Sequence, residues 1–395
     1  MQVVYAKEEF PESWTKSIFL VGPTPRKEAP VLSWRHRALE VLEAQGYDGV
    51  VFIPEERSGQ WQGSYTDQTE WEKSGLKFAD RIVAWVPRDL ETMPAFTTNI
   101  EFGLWVSSGK LILGHPEGAP KTRYLDWLLA DEVGGDWHPT LEGTIEAALE
   151  GIGDGAKRRG GERYVPLHIW ETPMFQEWYK TLLWNGNRLD EADVKWIGTV
   201  TDKRILFAWI LWVKVWISSE KRHKENEWVF SRKDISTVVL YRPNPSLLDT
   251  MVVLVREFRS PCRNDDGLVH ELPGGSSVKP DQDPLQIASE EVREETGLRI
   301  PADRFTFIGN RQLVATLSSH HAFCYAAPIT AEELAEAVEM AENQEIHGVE
   351  EDSERTYVEV TTVEDLLSDN RMDWSMMGML MQALLRRLEN GELMR

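Results

Sequence analysis

Residues Gly274 to Leu298 read GGSSVKPDQDPLQIASEEVREETGL, and the fold of the C-terminal half turns on them. The run EEVREETGL puts Glu291, Glu294 and Glu295 at helical offsets of zero, three and four. Side chains at those offsets share one face of an α-helix. Three carboxylates on one face repel one another, and a divalent cation between them removes the repulsion. Hard oxygen donors of this kind suit Mg²⁺ or Mn²⁺. The plain alternative is a solvated acidic helix face.

The flanking residues predict a loop followed by a helix. Asp283 suits an N-cap and Pro284 the first helical position. Ile287, Ala288 and Val292 supply an apolar face behind the acidic one. Gly297 falls where a left-handed C-terminal residue is expected. Gly274 and Gly275 permit a tight loop close to a ligand. Upstream, STVVL at 236–240 and MVVLVR at 251–256 are β-branched runs between turn residues, as strands should be.

This segment resembles the Nudix box, whose last eight positions match Glu291 to Leu298. Two departures stand out. The spacing from Gly275 is one residue longer than the pattern, which drops the first glutamate position near Gln282. Glu290 replaces the arginine that normally orients a catalytic glutamate, and Arg293 is the nearest substitute. MVVLVREFRSP followed by HELPGG is similar to the strand and loop of the family's ADP-ribose and nucleotide-sugar pyrophosphatases. The resemblance implies an α/β/α fold with a mixed sheet. It implies a metal held by Glu271, Glu291, Glu294 and Glu295, with Glu294 also catalytic. It further implies that Arg256, Arg259, Gly274 and Gly275 meet the substrate's phosphates or base. Met372 to Leu388 reads as a terminal amphipathic helix stopped near Gly391, which also fits that family.

With 395 residues the chain can hold two domains, each with its own core. A formal net charge of −22 argues against a nonspecific grip on nucleic acid and against docking on anionic membranes. Phosphorylated small molecules stay open, because a metal or a local arginine inverts the charge inside one pocket. Cys262 and Cys324 make neither a metal-binding spacing nor a disulfide framework, which suits a cytoplasmic protein. MQVVYAKEEFPESW lacks the apolar core of a signal peptide. The apolar run ILFAWILWVKVWI at 205–217 is too short to span a bilayer and reads as a buried strand or strand pair.

The first 150 residues alternate strand-like and helix-like segments. Strands are expected at Ser17–Val21, Val50–Ile53, Ile82–Val86 and Leu111–Leu113; helices at Trp34–Gln45, 69–78 and Asn99–Ser108. Such alternation predicts a doubly wound parallel sheet of Rossmann or flavodoxin type, with ligands at the carboxyl ends of its strands. The informative polar residues near strand ends are Gly22 to Arg26 (GPTPR), Asp80, Asp89 and TTNIEFG at 97–103. Glu101 reads as early in a helix, where free backbone amides favour an ionised carboxylate. A second carboxyl group nearby completes the two-carboxylate logic of glycoside cleavage. A capping glutamate on a plain helix fits the same residues. Trp61, Trp71, Trp85 and Trp105 can either stack on a base or fill the core.

IFLVGPTPR, ADRIVAWVPRD and NIEFGLWVSSGKLIL, in that order, resemble the nucleoside 2-deoxyribosyltransferase family and its nucleotide N-glycosidase relatives, over roughly residues 15–130. The resemblance implies a nucleophile at Glu101 and acidic partners at Glu72, Asp80 and Asp89. It implies substrate contacts at Gly22, Pro23, Thr24 and Asn99, with Ser107, Ser108 and Thr24 near a 5′-phosphate. The tyrosine common on the first strand is Phe19 here.

GIGDGAKRRGGERY reads as a linker, and WETPMFQEWYKTLLWNGNRL as an aromatic, partly helical brace. The domains are therefore expected at 1–152 and 201–395, joined by 153–200. The expectation is a homo-oligomeric, Mg²⁺-dependent bifunctional enzyme of small-molecule nucleotide metabolism. One half cleaves a nucleoside diphosphate derivative, and the other cleaves or exchanges an N-glycosidic bond. Two alternatives stand beside it: a degenerate nucleotide-sensing C-terminal half, and a non-catalytic binding or assembly protein.

Overall fold

The structure is a computed structural model, and it describes residues 1–26, 31–58, 64–200, 205–277, 279, 282–348 and 354–389. Trp61, Glu350, Glu351 and Gly391 lie outside the described residues. Two compact units divide the chain at Ser231 and Arg232.

The first unit begins with β1 (Gln2–Tyr5), β2 (Ser13–Trp14), β3 (Ser17–Val21), α1 (Arg35–Ala44), β4 (Val50–Ile53) and α2 (Tyr65–Phe78). It continues with β5 (Arg81–Trp85), α3 (Phe96–Trp105), β6 (Leu111–Gly114), α4 (Arg123–Val133) and α5 (Leu141–Ile152). The five longer strands pair in parallel, in the order β1-β4-β3-β5-β6. Alternate residues of each strand feed two cores. Phe19, Val21, Phe52, Ile82 and Ala84 meet Trp71 and Leu76 of α2, Phe102 of α3 and Leu125 of α4. Ile18, Leu20, Val51, Ile53 and Val83 meet Ala38 and Leu42 of α1 and Ile145 and Ala148 of α5. Burying one such side chain contributes about 1.5–3 kcal/mol. Helix propensity separates ordinary residues by only about 0.7 kcal/mol. Packing on both faces therefore decides the layout. Edge strand β1 is only partly buried and has a weak apolar pattern.

Beyond α5 come β7 (Arg158–Arg159), α6 (Leu167–Trp170) and α7 (Pro173–Trp184), then β8 (Arg188–Val200), β9 (Ile205–Ile217) and β10 (Arg222–Arg232). The glycine-rich segment read as a linker is held in place. Arg158 within it is fully buried, and β7 pairs with β2. Phe175 and Tyr179 of α7 pack on Trp209, Leu211 and Val213 of β9. The apolar run at 205–217 thus forms the middle strand of a three-stranded sheet, ordered β10-β9-β8, and runs antiparallel to β8.

The second unit contains β11 (Ile235–Arg242), β12 (Met251–Phe258), β13 (Leu268–Glu271), β14 (Gly274–Gly275), α8 (Pro284–Thr296), β15 (Thr306–Gln312) and β16 (His321–Pro328). It is completed by α9 (Ala331–Asn343), β17 (Ile346–His347), β18 (Thr356–Thr362), α10 (Val363–Ser368) and α11 (Trp374–Glu389). The sheet is mixed: β11 runs parallel to β16, and the other recorded pairings are antiparallel. Ala288 and Val292 of α8 and Ala337 of α9 cover one face, while Leu380, Ala383 and Leu384 of α11 cover the other. Helix α8 carries the expected signals. Asp283 accepts from the Leu285 N–H at 2.9 Å, Pro284 opens the helix, and Gly297 closes it at φ 73°.

Candidate active site

In the first unit the polar residues gather where β3 and β4 end. The loop after β3 must pass close to β5: a Cβ on Gly22 would lie 2.2 Å from the Trp85 carbonyl oxygen. Arg35, at the start of α1, is 2 % exposed. Its Nε donates to the Leu20 carbonyl at 3.2 Å, and Nη2 to the Gly22 carbonyl at 2.7 Å. Its Nη1 donates to Thr24 Oγ1 at 3.2 Å and to Glu55 at 2.6 Å. Thr24 and Ser33 also donate to that Glu55 oxygen, at 3.2 and 2.8 Å. The guanidinium lies against the Trp34 ring, whose Nε1 donates to the Pro23 carbonyl at 3.1 Å.

Two further carboxyls feel the charge of this cation. Glu72 on α2 accepts from Gln68 at 2.8 Å; burial raises its pKa, and the Gln68 bond and Arg35 oppose the rise. Glu101 on α3 is pushed up to about 7 by burial and then by repulsion from Glu72, with Arg35 pulling the other way. Glu101 makes no side-chain hydrogen bond or ion pair among the described residues. It was expected to be early in its helix and held ionised there. It is in fact the sixth residue of α3, and the field of a helix terminus fades within one turn. Burial and a like charge therefore set its protonation.

The other residues named from sequence lie apart from this group. Asp80 precedes β5, at the amino edge of the sheet. Its Oδ1 accepts from Arg158 at 2.7 Å and from the Leu167 N–H at 3.1 Å; its Oδ2 accepts from Arg158 at 2.6 Å and from Ser17 N–H and Oγ at 2.9 and 3.0 Å. That environment is a structural clamp. Asp89 is exposed, and its Oδ1 closes a turn by accepting from the N–H groups of Glu91 and Thr92 at 3.1 and 2.7 Å. Asn99 is exposed and accepts from Arg88. Ser107 follows α3, points to Glu132 at 2.8 Å, and precedes β6, so it too sits toward the amino edge. Trp71 and Trp85 are core residues, and Trp105 carries Lys110 4.4 Å from its ring. Phe19 is fully buried.

The sequence reading missed Arg35 and Glu55. A signal existed for the first: Arg35, Ala38 and Leu42 share the buried face of α1, an odd place for a lone arginine.

Residues 15–119 match the family model described as nucleoside 2-deoxyribosyltransferase like. The match covers 105 of the 395 residues and takes in Arg35, Glu55, Glu72 and Glu101. It supports a nucleoside-processing function for this deoxyribosyltransferase-like domain. No curated protein matches the chain. Among the described residues, no helix is long and apolar enough to cross a membrane.

A second acidic group occupies the other unit. Glu295 is 5 % exposed and accepts from the Gly274 N–H at 2.8 Å. Its pKa is driven well up by burial and then by Glu291. Glu291 is raised to about 7 by burial, then by Glu294 and Glu354. Glu271, at the end of β13, is also raised to about 7 by burial, with Arg259 opposing. Glu294 is exposed beside Arg293, 3.4 Å away. Gly275 faces Glu291: a Cβ there would lie 2.5 Å from its Oε1. Hard, mutually repelling oxygens suit a divalent cation. Among the described residues, however, no three acidic, histidine or cysteine side chains converge to metal-binding range. Arg259 is engaged by Glu257 and Glu354 at 2.7 and 3.0 Å, and Arg256 donates to Gln344. Glu290, at the departed arginine position, accepts from Gln282 at 2.8 Å. Cys262 and Cys324 are free thiols.

Proposed function

We propose that the deoxyribosyltransferase-like domain cleaves or exchanges the N-glycosidic bond of a nucleoside or nucleoside monophosphate. The observation that carries this reading is the pair Glu72 and Glu101, two half-buried carboxyls sharing one fixed cation beside the strand ends. Neighbouring like charges do not both ionise easily, so the pair keeps a proton near neutral pH; burial favours that proton on Glu101 in the free protein, and the reactive form is the one in which it sits on Glu72. Ionised Glu101 forms a bond to the anomeric carbon or stabilises its oxocarbenium character. The carbon–nitrogen bond breaks, and its electron pair leaves with the base. Glu72 gives the base a proton. Asp80 and Asp89 are committed to a clamp and a turn, which leaves Glu72 as the acid. Water on the glycosyl–enzyme gives hydrolysis, and a second base gives transfer. Incubating the protein with nucleosides, 2′-deoxynucleosides and their monophosphates, with chromatography for free base, tests this. Base release that vanishes in Glu101→Gln supports it. Release from none of these substrates, or undiminished release by Glu101→Gln, overturns it.

A second reading concerns the other unit, where Glu291 and Glu271 both repel the buried Glu295 beside Gly274 and Gly275. It is a Nudix-like hydrolase of a nucleoside diphosphate derivative, with those carboxylates holding Mg²⁺ and exposed Glu294 at the edge of the site. On this reading Glu271, Glu291 and Glu295 would hold Mg²⁺, which would supply the charge that polarises a phosphoanhydride and acidifies a water. The product monophosphate is then a substrate for the first domain. Hydrolysis of ADP-ribose or a dinucleotide that requires Mg²⁺ and is lost in Glu291→Gln supports it. Nucleotide binding without turnover, with hydrolysis gained in Glu290→Arg, would instead mark a degenerate sensor.

A further inference from the structure

We propose that Arg35 is a positioning residue of the Glu72–Glu101 site, tying the ends of β3 and β4 into one rim and serving as the fixed counter-charge of both carboxyls. The inference rests on the glycosidic reading of that site for its catalytic consequence, but not for its geometry.

A guanidinium carries five N–H donors. Arg35 sends four hydrogen bonds to protein acceptors: the Leu20 and Gly22 carbonyls, Thr24 Oγ1 and Glu55. Two of those acceptors lie in the loop after β3, and Glu55 lies just after β4. The arginine therefore fixes the spacing of the two strand ends that border the cleft. Little donor capacity remains for a substrate phosphate, so Arg35 is not its anchor.

Its charge does separate work. Gln68 of α2 donates to the Pro54 carbonyl at 3.3 Å and to Glu72 at 2.8 Å, which holds Glu72 beside the strand end where Glu55 pairs with Arg35. The charges that act on Glu101 are Glu72 from α2 and Arg35 from α1, and Arg35 acts on Glu72 as well. Without the cation, both carboxyls keep their protons to higher pH, and an ionised nucleophile becomes rare. A lysine keeps the charge but loses the planar fork that bridges carbonyl, hydroxyl and carboxylate.

The test uses the full chain with Arg35→Gln, Arg35→Lys and Glu55→Gln. The first readout needs no turnover: carboxyl-carbon NMR titration of Glu72 and Glu101, assigned with Glu72→Gln and Glu101→Gln. Arg35→Gln should raise both midpoints by about one pH unit, and Arg35→Lys should return most of that shift. The second readout is base release per folded molecule. Arg35→Gln should lower kcat at least about tenfold near neutral pH while KM for a monophosphate stays within about threefold. Arg35→Lys should recover the pH profile better than the rate. Unchanged midpoints in Arg35→Gln overturn the counter-charge. A higher KM confined to phosphorylated substrates, with kcat intact, overturns positioning in favour of substrate binding. If Arg35→Gln does not fold, Arg35→Lys and Glu55→Gln decide: a lower kcat with the parental KM supports positioning, and parental kinetics in both overturn it. Shifted midpoints in a protein that releases no base sink the glycosidic reading alone.

Discussion

Replacing Asp80 with asparagine should destabilise the first unit severely without touching chemistry. Asp80 and Arg158 are both fully buried and form a two-pronged pair at 2.6 and 2.7 Å. The same carboxylate accepts from Ser17 and from the Leu167 N–H, so donors surround both oxygens. An asparagine NH₂ must face at least one of those donors in either orientation. It also leaves the Arg158 charge without a partner. Removing one member of a buried pair costs about 3–5 kcal/mol, most of it from the stranded charge. For a unit of this size, 1 kcal/mol moves Tm by about 2–4 °C, so the expected drop is about 6–20 °C. Urea titration followed by tryptophan fluorescence gives the free energy, and calorimetry gives Tm. Asp80→Asn with Arg158→Met should recover part of the loss by removing the orphaned charge. The reasoning fails if Asp80→Asn unfolds within about 1 kcal/mol of the parent. It fails equally if base release per folded molecule collapses while stability holds, because Asp80 would then be catalytic.

Three further outcomes follow from the same geometry. Burial and then Glu72 push Glu101 up to about 7 from an ordinary 4.5, so its folded pKa is raised; its stabilising contribution is full below about 4.5 and fades as pH rises through about 7. Glu101→Gln should therefore out-stabilise the parent in urea above about pH 7 and match it below about pH 4.5; a variant no more stable at alkaline pH contradicts the burial argument. Gly274→Ala puts a Cβ 2.4 Å from the Ser236 carbonyl oxygen, which is backbone and cannot swing away. The second unit should lose about 1–3 kcal/mol in chemical denaturation, and a neutral result would mean that strand β14 is laid out differently. Mg²⁺ should raise the thermal midpoint of the parent and leave that of Glu291→Gln with Glu295→Gln unmoved; the same Mg²⁺ response in both proteins argues against those ligands.

Local chemistry was legible in the sequence, and long-range chemistry was not. Helix α8 could be drawn from Asp283, Pro284 and Gly297, because caps act over three or four residues. The strands of the parallel sheet were readable because each is an unbroken apolar run covered on both faces. Edge strand β1 escaped notice, since Val3 and Tyr5 are only half-buried and leave a faint pattern. The segment GIGDGAKRRGGERY reads as a linker by composition. Its order comes from Arg158 reaching Asp80, a partner 78 residues away.

The candidate site divides along the same line. A carboxylate just before a parallel strand lies at the amino edge, and one just after it lies at the carboxyl edge, where such sheets bind ligands. Asp80 directly precedes Arg81–Trp85, so strand direction alone was enough to set it aside. The motif nominated Glu101, but what sets its protonation was not legible there. The helix-terminus argument considered only its own element, whereas its neighbours come from α1 and α2. Arg35 governs that environment and stands 66 positions earlier in a helix that otherwise looks like plain core packing. A buried arginine among apolar residues requires an acceptor set before it can be tolerated. Here the acceptors are two carbonyls, a hydroxyl and a carboxylate, all at strand ends. The cost of burying that charge thereby becomes a rigid cleft rim, which chance packing gives no reason to expect.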